Sequence, residues 1–467
     1  MEESVEFLPP FDANTKEASP RMTVAIGQHV AVVGSPDALE GCGAATVYAY
    51  SEATNKWGFV GTLFGGRNSG TNEMRAFGSA CLVVGDTVII GASGDSTTPG
   101  RVVVLTPPYG VWTYGSVPSM AVLNRAEPIR EDSFGASLAH CFDGKDHYVA
   151  VGAPKAAPPR GPFGTGMVFI FKGLESTNEP WSSSPIANPN AEGTEEERFA
   201  SSVAIGPGLD ESGQPNGTIV LAVAAPGAKE GQGVVYVGAT TEAGEWPNRF
   251  SFGQVINPQF PDVISDDFTT TEFGTSVAMT PGVLAIGAPA DPNFEEEIEG
   301  TGAVWLYQWK DGQFEVKQEG GSAYGPSEDA RFGSAIAFPP VDPAAPGIPA
   351  EQLLVSVPGR RAGAVFDISS DLEMSGREEL TCYGGKAGDR FGSSVAIASH
   401  PDGPWSIVGA PGDPASEIDG GGYVYAEGAS GMKWSDPPVM VELPHFRWFG
   451  QDPEIFKRFT PKVERYL

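Results

Sequence analysis

The chain has 467 residues, with 59 Asp and Glu against 29 Lys and Arg and a formal net charge of -30. That charge argues against nucleic acid and anionic membrane surfaces as partners, and it permits cationic ligands, metal ions or basic protein surfaces. No apolar run approaches the roughly 18 residues of a membrane span, and the acidic N-terminus lacks the regions of a signal peptide, so we expect no membrane insertion and assign no compartment.

One short phrase recurs about every 60 residues along the chain, opening on Phe-Gly and closing on Gly-Ala-Pro. Its clearest copy runs from Phe391 to Pro411. A unit of this length cannot bury its own apolar faces alone, so the repeat predicts one architecture of similar units. In chain order the units are predicted to begin near residues 22, 77, 134, 199, 273, 332 and 391.

Each unit is predicted to contain four strands. The first two are short runs of small and β-branched residues, the third alternates aromatic with aliphatic residues as in Gly302 to Gln308, and the fourth is weaker and carries a Trp or Phe. Four antiparallel strands repeated radially are typical of a β-propeller. We therefore predict an all-β, seven-bladed β-propeller over residues 22–443. The fourth strand of the seventh blade is predicted at 434–443.

The two ends of the chain differ from the repeat. Residues 1–21 are predicted to be an N-terminal extension, and residues 444–467 an aromatic and locally basic tail. Opposite charges favour folding of this tail back over the acidic body, and docking of the tail to another subunit is the alternative.

The pairing of Phe-Gly with Gly-Ala-Pro resembles the FG-GAP repeat of the integrin α-chain head and of many bacterial and algal surface proteins. The resemblance covers residues 22–443 and implies a seven-bladed propeller. It also implies an extracellular or cell-surface location, and partner binding through the loops that join second to third strands.

Those loops are long and acidic in this chain, which makes them the predicted binding face. The loop of the fifth unit carries the longest run of carboxylates, and a basic partner would be steered toward it. The candidate binding residues are Asp291, Glu295, Glu296, Glu297, Glu299, Asp413, Glu417 and Asp419.

The resemblance also implies a calcium loop between first and second strands, with carboxylates at alternate positions. This chain departs from that pattern in every unit, and Asp143, Asp146 and Asp402 are the remaining metal candidates. We therefore expect no cofactor, with calcium at one degenerate loop as the alternative.

Four of the five histidines fall in or beside the same turns between first and second strands. Together with the three aspartates they would form a metal or acid–base cluster if the turns converge. The residues are His29, His140, His147 and His400.

No sequence motif of a known catalytic site is present, including G-x-S-x-G, H-E-x-x-H and the P-loop. The sequence therefore predicts a non-catalytic recognition or adhesion module that binds a protein or glycan, and not an enzyme. Two alternatives stay open: a structural subunit docked through the C-terminal tail, and a metal-dependent lyase or dehydratase-like enzyme at a propeller rim.

Overall fold

The computed structural model describes part of the chain in detail. The described residues are 5–7, 21–54, 56–64, 74–116, 118–123, 129–157, 164–174, 185–190, 197–240, 250–258, 270–292, 300–316, 322–341, 350–360, 362–368, 374–381, 390–400, 404–411 and 421–426. The chain divides into two compact units, each larger than one repeat unit of the sequence. The first comprises Met1–Asn124, Pro128–Glu131 and Cys382–Leu467. The second comprises Arg125–Glu127 and Asp132–Thr381.

The first unit contains three four-stranded antiparallel sheets. Two follow chain order: β2 (Thr23–Ile26), β3 (Val30–Ser35), β4 (Ala44–Ser51) and β5 (Lys56–Phe64), then β6 (Phe77–Val84), β7 (Thr87–Ala92), β8 (Arg101–Thr106) and β9 (Ser119–Leu123). The third joins β27 (Ser394–Ala398), β28 (Trp405–Ala410) and β29 (Gly421–Ala426) to β1 (Val5–Phe7). A helical turn α1 (Ala38–Gly41) and a 3-10 turn (Pro108–Gly110) interrupt the loops.

The second unit contains four sheets, and the first four strands of each pair in chain order. The third sheet has a fifth strand, which pairs with its third strand. The four sheets are β10 (Ser137–Phe142), β11 (His147–Ala153), β12 (Met167–Lys172) and β13 (Pro185–Ala187); β14 (Ser202–Leu209), β15 (Pro215–Ala225), β16 (Val234–Thr240) and β17 (Phe250–Ile256); β18 (Ser276–Thr280), β19 (Val283–Ala288), β20 (Ala303–Lys310), β21 (Gln313–Val316) and β22 (Ser322–Tyr324); and β23 (Ile336–Ala337), β24 (Gln352–Val357), β25 (Ala362–Ile368) and β26 (Met374–Thr381). Two short turns, α2 (Ala228–Gly231) and a 3-10 turn (Pro358–Arg360), complete the unit.

The all-β class and the four-stranded antiparallel sheets predicted from the repeat are confirmed. The count of seven blades in a ring stays a prediction. The described residues contain no helix long and apolar enough to cross a membrane.

The last sheet takes its outer strand from the other end of the chain. Val5 pairs with Val424 and Phe7 with Gly422, so β1 lies beside β29 in antiparallel register. The fourth strand that we predicted at 434–443 lies outside the described residues, as does the tail 444–467. An exposed sheet edge is open to unwanted pairing, and β1 covers this one.

The phenylalanine that opens each recognisable repeat is buried in the core. All six side chains have at most 1% of their surface exposed: Phe77, Phe134, Phe199, Phe273, Phe332 and Phe391. Around Phe273 a buried apolar layer fills the space between two neighbouring sheets, with Val220 and Val235 on one side and Ile286 and Tyr307 on the other.

Glycines at the repeat let neighbouring sheets touch through their backbones. A Cβ at Gly287 would collide with the carbonyl oxygen of Gly333 in the next sheet, and a Cβ at Gly302 would collide with the backbone of Phe332. The Ser276 hydroxyl donates to the same Gly333 oxygen at 2.8 Å.

This contact between a glycine and a backbone carbonyl oxygen of the next sheet, here called the joint, recurs elsewhere in the chain. Gly152 meets the Ala200 carbonyl oxygen, which also accepts from Ser137 at 2.9 Å. In the other unit Gly34 meets the Gly78 carbonyl oxygen, which accepts from Thr23 at 2.8 Å. The repeated phrase therefore encodes a contact between sheets.

The backbone on both sides of the repeat phenylalanine is left-handed, which explains why glycine follows it in Phe-Gly. Glu272 has φ of 54° and Gly274 has φ of 88°, on either side of Phe273. Glycine adopts this region without steric cost. Ala200 adopts it with φ of 67° where the fourth repeat has lost its glycine.

We expect Gly287→Ala to destabilise the protein by about 2 to 3 kcal/mol, in the upper part of the range for overpacked cores, because the added methyl meets a backbone oxygen that cannot move alone. The matched control is Gly253→Ala, since an added Cβ there meets no atom within 4 Å. We expect that control to change the free energy of unfolding by less than about 1 kcal/mol. Urea unfolding of both variants is the measurement, and equal stabilities would contradict the joint.

Candidate functional site

The loop that follows β19 begins with a buried carboxyl group. Asp291 is 2% exposed. Its backbone oxygen accepts from the Gly302 amide at 2.9 Å and from the Thr301 hydroxyl at 3.2 Å, so the two ends of the β19–β20 connection are tied together. Its side-chain Oδ2 lies 3.3 Å from the indole Nε1 of Trp305, which donates to it from β20. The carboxyl is therefore held by a rigid hairpin.

Burial raises the pKa of Asp291 to about 7, and the hydrogen bond from Trp305 opposes this only in part. An ordinary aspartate has a pKa of about 3.9. This carboxyl therefore exists in both its protonated and ionised forms near neutral pH. Strongly perturbed carboxyl groups of this kind concentrate at functional sites.

A second buried oxygen belongs to the same strand as Trp305. Tyr307 is 2% exposed, and among the residues that the structure describes its hydroxyl has no hydrogen-bond partner. Burial raises the pKa of Tyr307, and the charge of Asp291 raises it further. Asp291 and Tyr307 are therefore electrostatically coupled, and the phenol stays protonated.

Asp291 is the one predicted binding residue within the described part of the chain. Glu295, Glu296, Glu297, Glu299, Asp413, Glu417 and Asp419 lie outside the described residues. The predicted convergence of these carboxylates into one face therefore stays a prediction.

Two other acidic turns of the same type are occupied by local contacts. The Arg21 guanidinium pairs with the Asp37 carboxylate, and Asp95 Oδ1 accepts from the amides of Thr97 at 2.7 Å and Thr98 at 2.9 Å. Burial alone would raise the pKa of Asp95, but hydrogen bonds from Thr97 and Thr98 outweigh it and hold that pKa below its usual value. These carboxylates stabilise their own loops.

The turn between β10 and β11 holds two of the three predicted metal candidates. Asp143 Oδ1 accepts from the amides of Lys145 at 2.8 Å and Asp146 at 2.7 Å, and its Oδ2 accepts from the Tyr148 hydroxyl at 3.3 Å. Asp146 Oδ2 lies 2.7 Å from Lys172 Nζ. Asp402, the third candidate, lies outside the described residues. Within the part of the chain that the structure describes, no three His, Cys, Asp or Glu side chains are grouped to hold a metal.

The four predicted histidines fall into different surroundings. His140 Nε2 lies 2.9 Å from His147 Nδ1. His29 lies between Glu52 and Asp86, at 3.4 and 3.6 Å.

His400, in contrast, packs against aromatic rings. It stacks on Trp405 with ring centroids 4.1 Å apart, and the edge of Tyr50 lies 5.6 Å away. Convergence of turns from different repeats stays a prediction, because His140 and His147 belong to the same hairpin.

Sequence reasoning missed the partner of Asp291. Trp305 lies 14 residues further on and was recognised only as part of an alternating strand. The alternation does predict that Trp305 and Tyr307 share one face, but it does not predict which loop residue meets that face.

No family model and no curated protein sequence matches this chain. Among solved structures, the periplasmic gluconolactonase of Pseudomonas aeruginosa is 13% identical with a TM-score of 0.43, covering 77% of this chain and 85% of that one. Sqt1 of Chaetomium thermophilum is 13% identical with a TM-score of 0.44, covering 88% and 98%. A Bacteroides fragilis protein assigned as a 6-phosphogluconolactonase is 11% identical with a TM-score of 0.44, covering 87% and 95%. At these values the likenesses transfer no activity to this chain.

These comparisons correct the interpretation of the repeat as FG-GAP and integrin α-like. No family model matches, and none of the structures named above is described as an FG-GAP or integrin protein. The physical reason is that Phe-Gly and Gly-Ala-Pro form a backbone joint between sheets, as at Gly287 and Gly333. A contact of this kind is required for the packing of the sheets, and it identifies neither a family nor a ligand.

The prediction of a non-catalytic adhesion module is wrong for the same reason. It rested on the resemblance, which no family model supports, and on the lack of catalytic sequence motifs, which does not exclude catalysis. An acid–base group made by burial, such as Asp291, has no sequence motif to find. The exclusion of enzymatic activity is withdrawn.

The raised pKa of Asp291 predicts a specific dependence of stability on pH. The folded chain binds this proton more tightly than the unfolded chain, so the stabilisation is fully present below about pH 4 and is lost as pH rises to about 7. Across that window we expect the parent to lose on the order of 4 kcal/mol relative to Asp291→Asn, which cannot ionise. Urea unfolding of both proteins at pH 4, 5.5 and 7.5 measures the difference, and parallel pH profiles would contradict it.

The contacts of Asp143 predict that calcium leaves stability unchanged. Its oxygens are already used by Lys145, Asp146 and Tyr148, and calcium sites use six or more oxygens. We expect equal melting midpoints in chelator and in millimolar calcium. Asp143→Ala should cost about 1 kcal/mol in both conditions through its lost hydrogen bonds, whereas Lys145→Ala, an exposed position in the same turn, should cost little. A rise in the midpoint with calcium would contradict this interpretation.

Proposed function

We propose that the protein is a hydrolytic enzyme in which Asp291 is the general acid–base group. The observation that carries the proposal is the buried carboxyl with a pKa of about 7, held by the indole of Trp305. The best acid–base catalyst has a pKa near the working pH, because it is then abundant in both forms.

One carboxyl with this pKa can serve both halves of an ester ring opening. In its ionised form it accepts a proton from the water that attacks the carbonyl carbon. In its protonated form it donates that proton to the ring oxygen, which leaves as an alcohol. The carbon–oxygen ester bond breaks, the new acid and alcohol form, and the carboxyl returns to its first state.

The Trp305 indole positions this carboxyl. It donates to Oδ2, which leaves the lone pairs of the other oxygen for proton transfer. Trp305 and Tyr307 belong to β20, whose backbone is paired on both edges, so the carboxyl does not need to be ordered at the moment of reaction. Preorganised groups of this kind contribute most to rate acceleration.

The charge of the protein narrows the substrate class that we propose. A net charge of -30 repels anions. Two of the solved structures have names that refer to gluconolactone and 6-phosphogluconolactone. Neutral sugar lactones are therefore the first substrates to test, and phosphorylated lactones should be poorer.

The test is lactone hydrolysis by the parent protein and by Asp291→Asn. We expect the parent to accelerate ring opening of neutral lactones above the spontaneous rate, with kcat rising through an apparent pKa near 7. Asp291→Asn should lower kcat by about 100- to 10,000-fold, the usual contribution of a general base.

Two controls separate catalysis from folding. Asp95→Asn changes a carboxylate at a comparable turn of the other unit, and we expect it to leave kcat unchanged. The melting midpoint of Asp291→Asn at neutral pH should not fall below that of the parent, because the variant removes a costly buried charge. Unchanged kcat in Asp291→Asn would remove Asp291 from the mechanism, and failure of every neutral lactone to react would contradict the proposed function.

A further inference from the structure

A pair of histidine side chains lies on the hairpin formed by β10 and β11, outside the Asp291 site. His140 Nε2 is 2.9 Å from His147 Nδ1, and the two rings are nearly parallel, with centroids 5.2 Å apart and an interplanar angle of 27°. Phe142 is opposite His147 in the strand register, so His140 and His147 are diagonal neighbours on one face. Strand backbone, rather than a loop, sets their separation.

This separation equals the bite of a metal chelate. Metal–imidazole bonds are about 2.0 to 2.1 Å long. Two of them at the right angle of tetragonal copper(II) place their nitrogens about 2.9 Å apart. Tetrahedral zinc places them about 3.3 Å apart, which requires a small outward shift of the two rings. In the pair as it stands, one ring must donate to the other. With the opposite tautomer on the donating ring, both lone pairs become available to one cation without movement of the strands.

We propose that His140 and His147 form a two-histidine chelate for a divalent transition metal ion of the zinc or copper class. Imidazole nitrogen suits these metals, whereas calcium and magnesium require oxygen ligands. No group of three ligating side chains occurs among the described residues, so water completes the coordination shell.

The electrostatic surroundings favour a bound cation. The carboxylates of Asp143 and Asp146 lie close enough to His147 for their charges to act on its ring. The two carboxylates stay near His147 while engaged with Tyr148 and Lys172, so they add negative potential without acting as ligands.

The ring packing fixes the side chains before any metal arrives. Phe142 lies against His147 with ring centroids 4.8 Å apart. The Gly173 amide donates to the His147 carbonyl oxygen, which ties the next hairpin strand to this residue. Preorganised ligands lose less conformational entropy on binding.

The experiment uses the tag-free full-length protein, with Zn²⁺ followed by calorimetry and Cu²⁺ by electron paramagnetic resonance. We expect one equivalent of each metal to bind, with a copper spectrum that shows two coordinated imidazole nitrogens. His140→Gln and His147→Gln should each weaken binding by at least tenfold, about the loss that follows removal of even an outer-shell partner. Calcium and magnesium should not compete.

His400→Gln is the matched control, because His400 is also packed against aromatic rings, those of Trp405 and Tyr50. It should bind both metals as the parent does. The copper spectrum of the parent tests the proposal even where a variant fails to fold. Fewer than two nitrogen ligands in that spectrum, no binding at one equivalent, or unchanged affinity in both His140→Gln and His147→Gln would overturn the proposal.

Discussion

The contact on which the rest of this structure depends is the backbone joint between neighbouring sheets. At Gly287 the chain touches the carbonyl oxygen of Gly333 without any side chain between them, and Ser276 adds a hydrogen bond to the same oxygen. A single methyl group at that point would push the sheets apart. Because the joint leaves little room for a side chain, glycine or another small residue recurs where two sheets meet in this way, and the loops beyond the joint are free to differ.

The joint tolerates exceptions where the geometry can be kept at moderate cost. Ala200 replaces the glycine of Phe-Gly and still adopts φ of 67°, and its amide donates to the Ala224 carbonyl oxygen as the glycine of other repeats does to its own hairpin partner. A non-glycine residue in the left-handed region costs on the order of 1 kcal/mol. Burial of Phe199 beside it offsets that strain. The glycine of Phe-Gly can therefore be replaced by alanine while the backbone conformation and its hydrogen bond are kept.

The sequence predicts the parts of the fold that repeat, because repetition makes the same physical requirement visible several times. The strands, their antiparallel order within each unit and the buried phenylalanines follow from it. The pairing of β1 with β29 does not, because only three residues at the far end of the chain form it, and they carry no periodic signal. The acid–base group escaped prediction for a related reason: Asp291 is one acidic residue among many, and only the three-dimensional contact with Trp305 and the loss of water distinguish it.

Asp291 and the joint act in opposite directions on stability. Close packing at the joint stabilises the fold. Burial of the Asp291 carboxyl destabilises its ionised form by removing water, and the raised pKa of Asp291 measures that loss of hydration. A protein that kept this residue for packing alone would be more stable with an amide or an apolar side chain of similar size. The proton transfer that we propose accounts for an ionisable group at 2% exposure, whereas a role in folding alone does not.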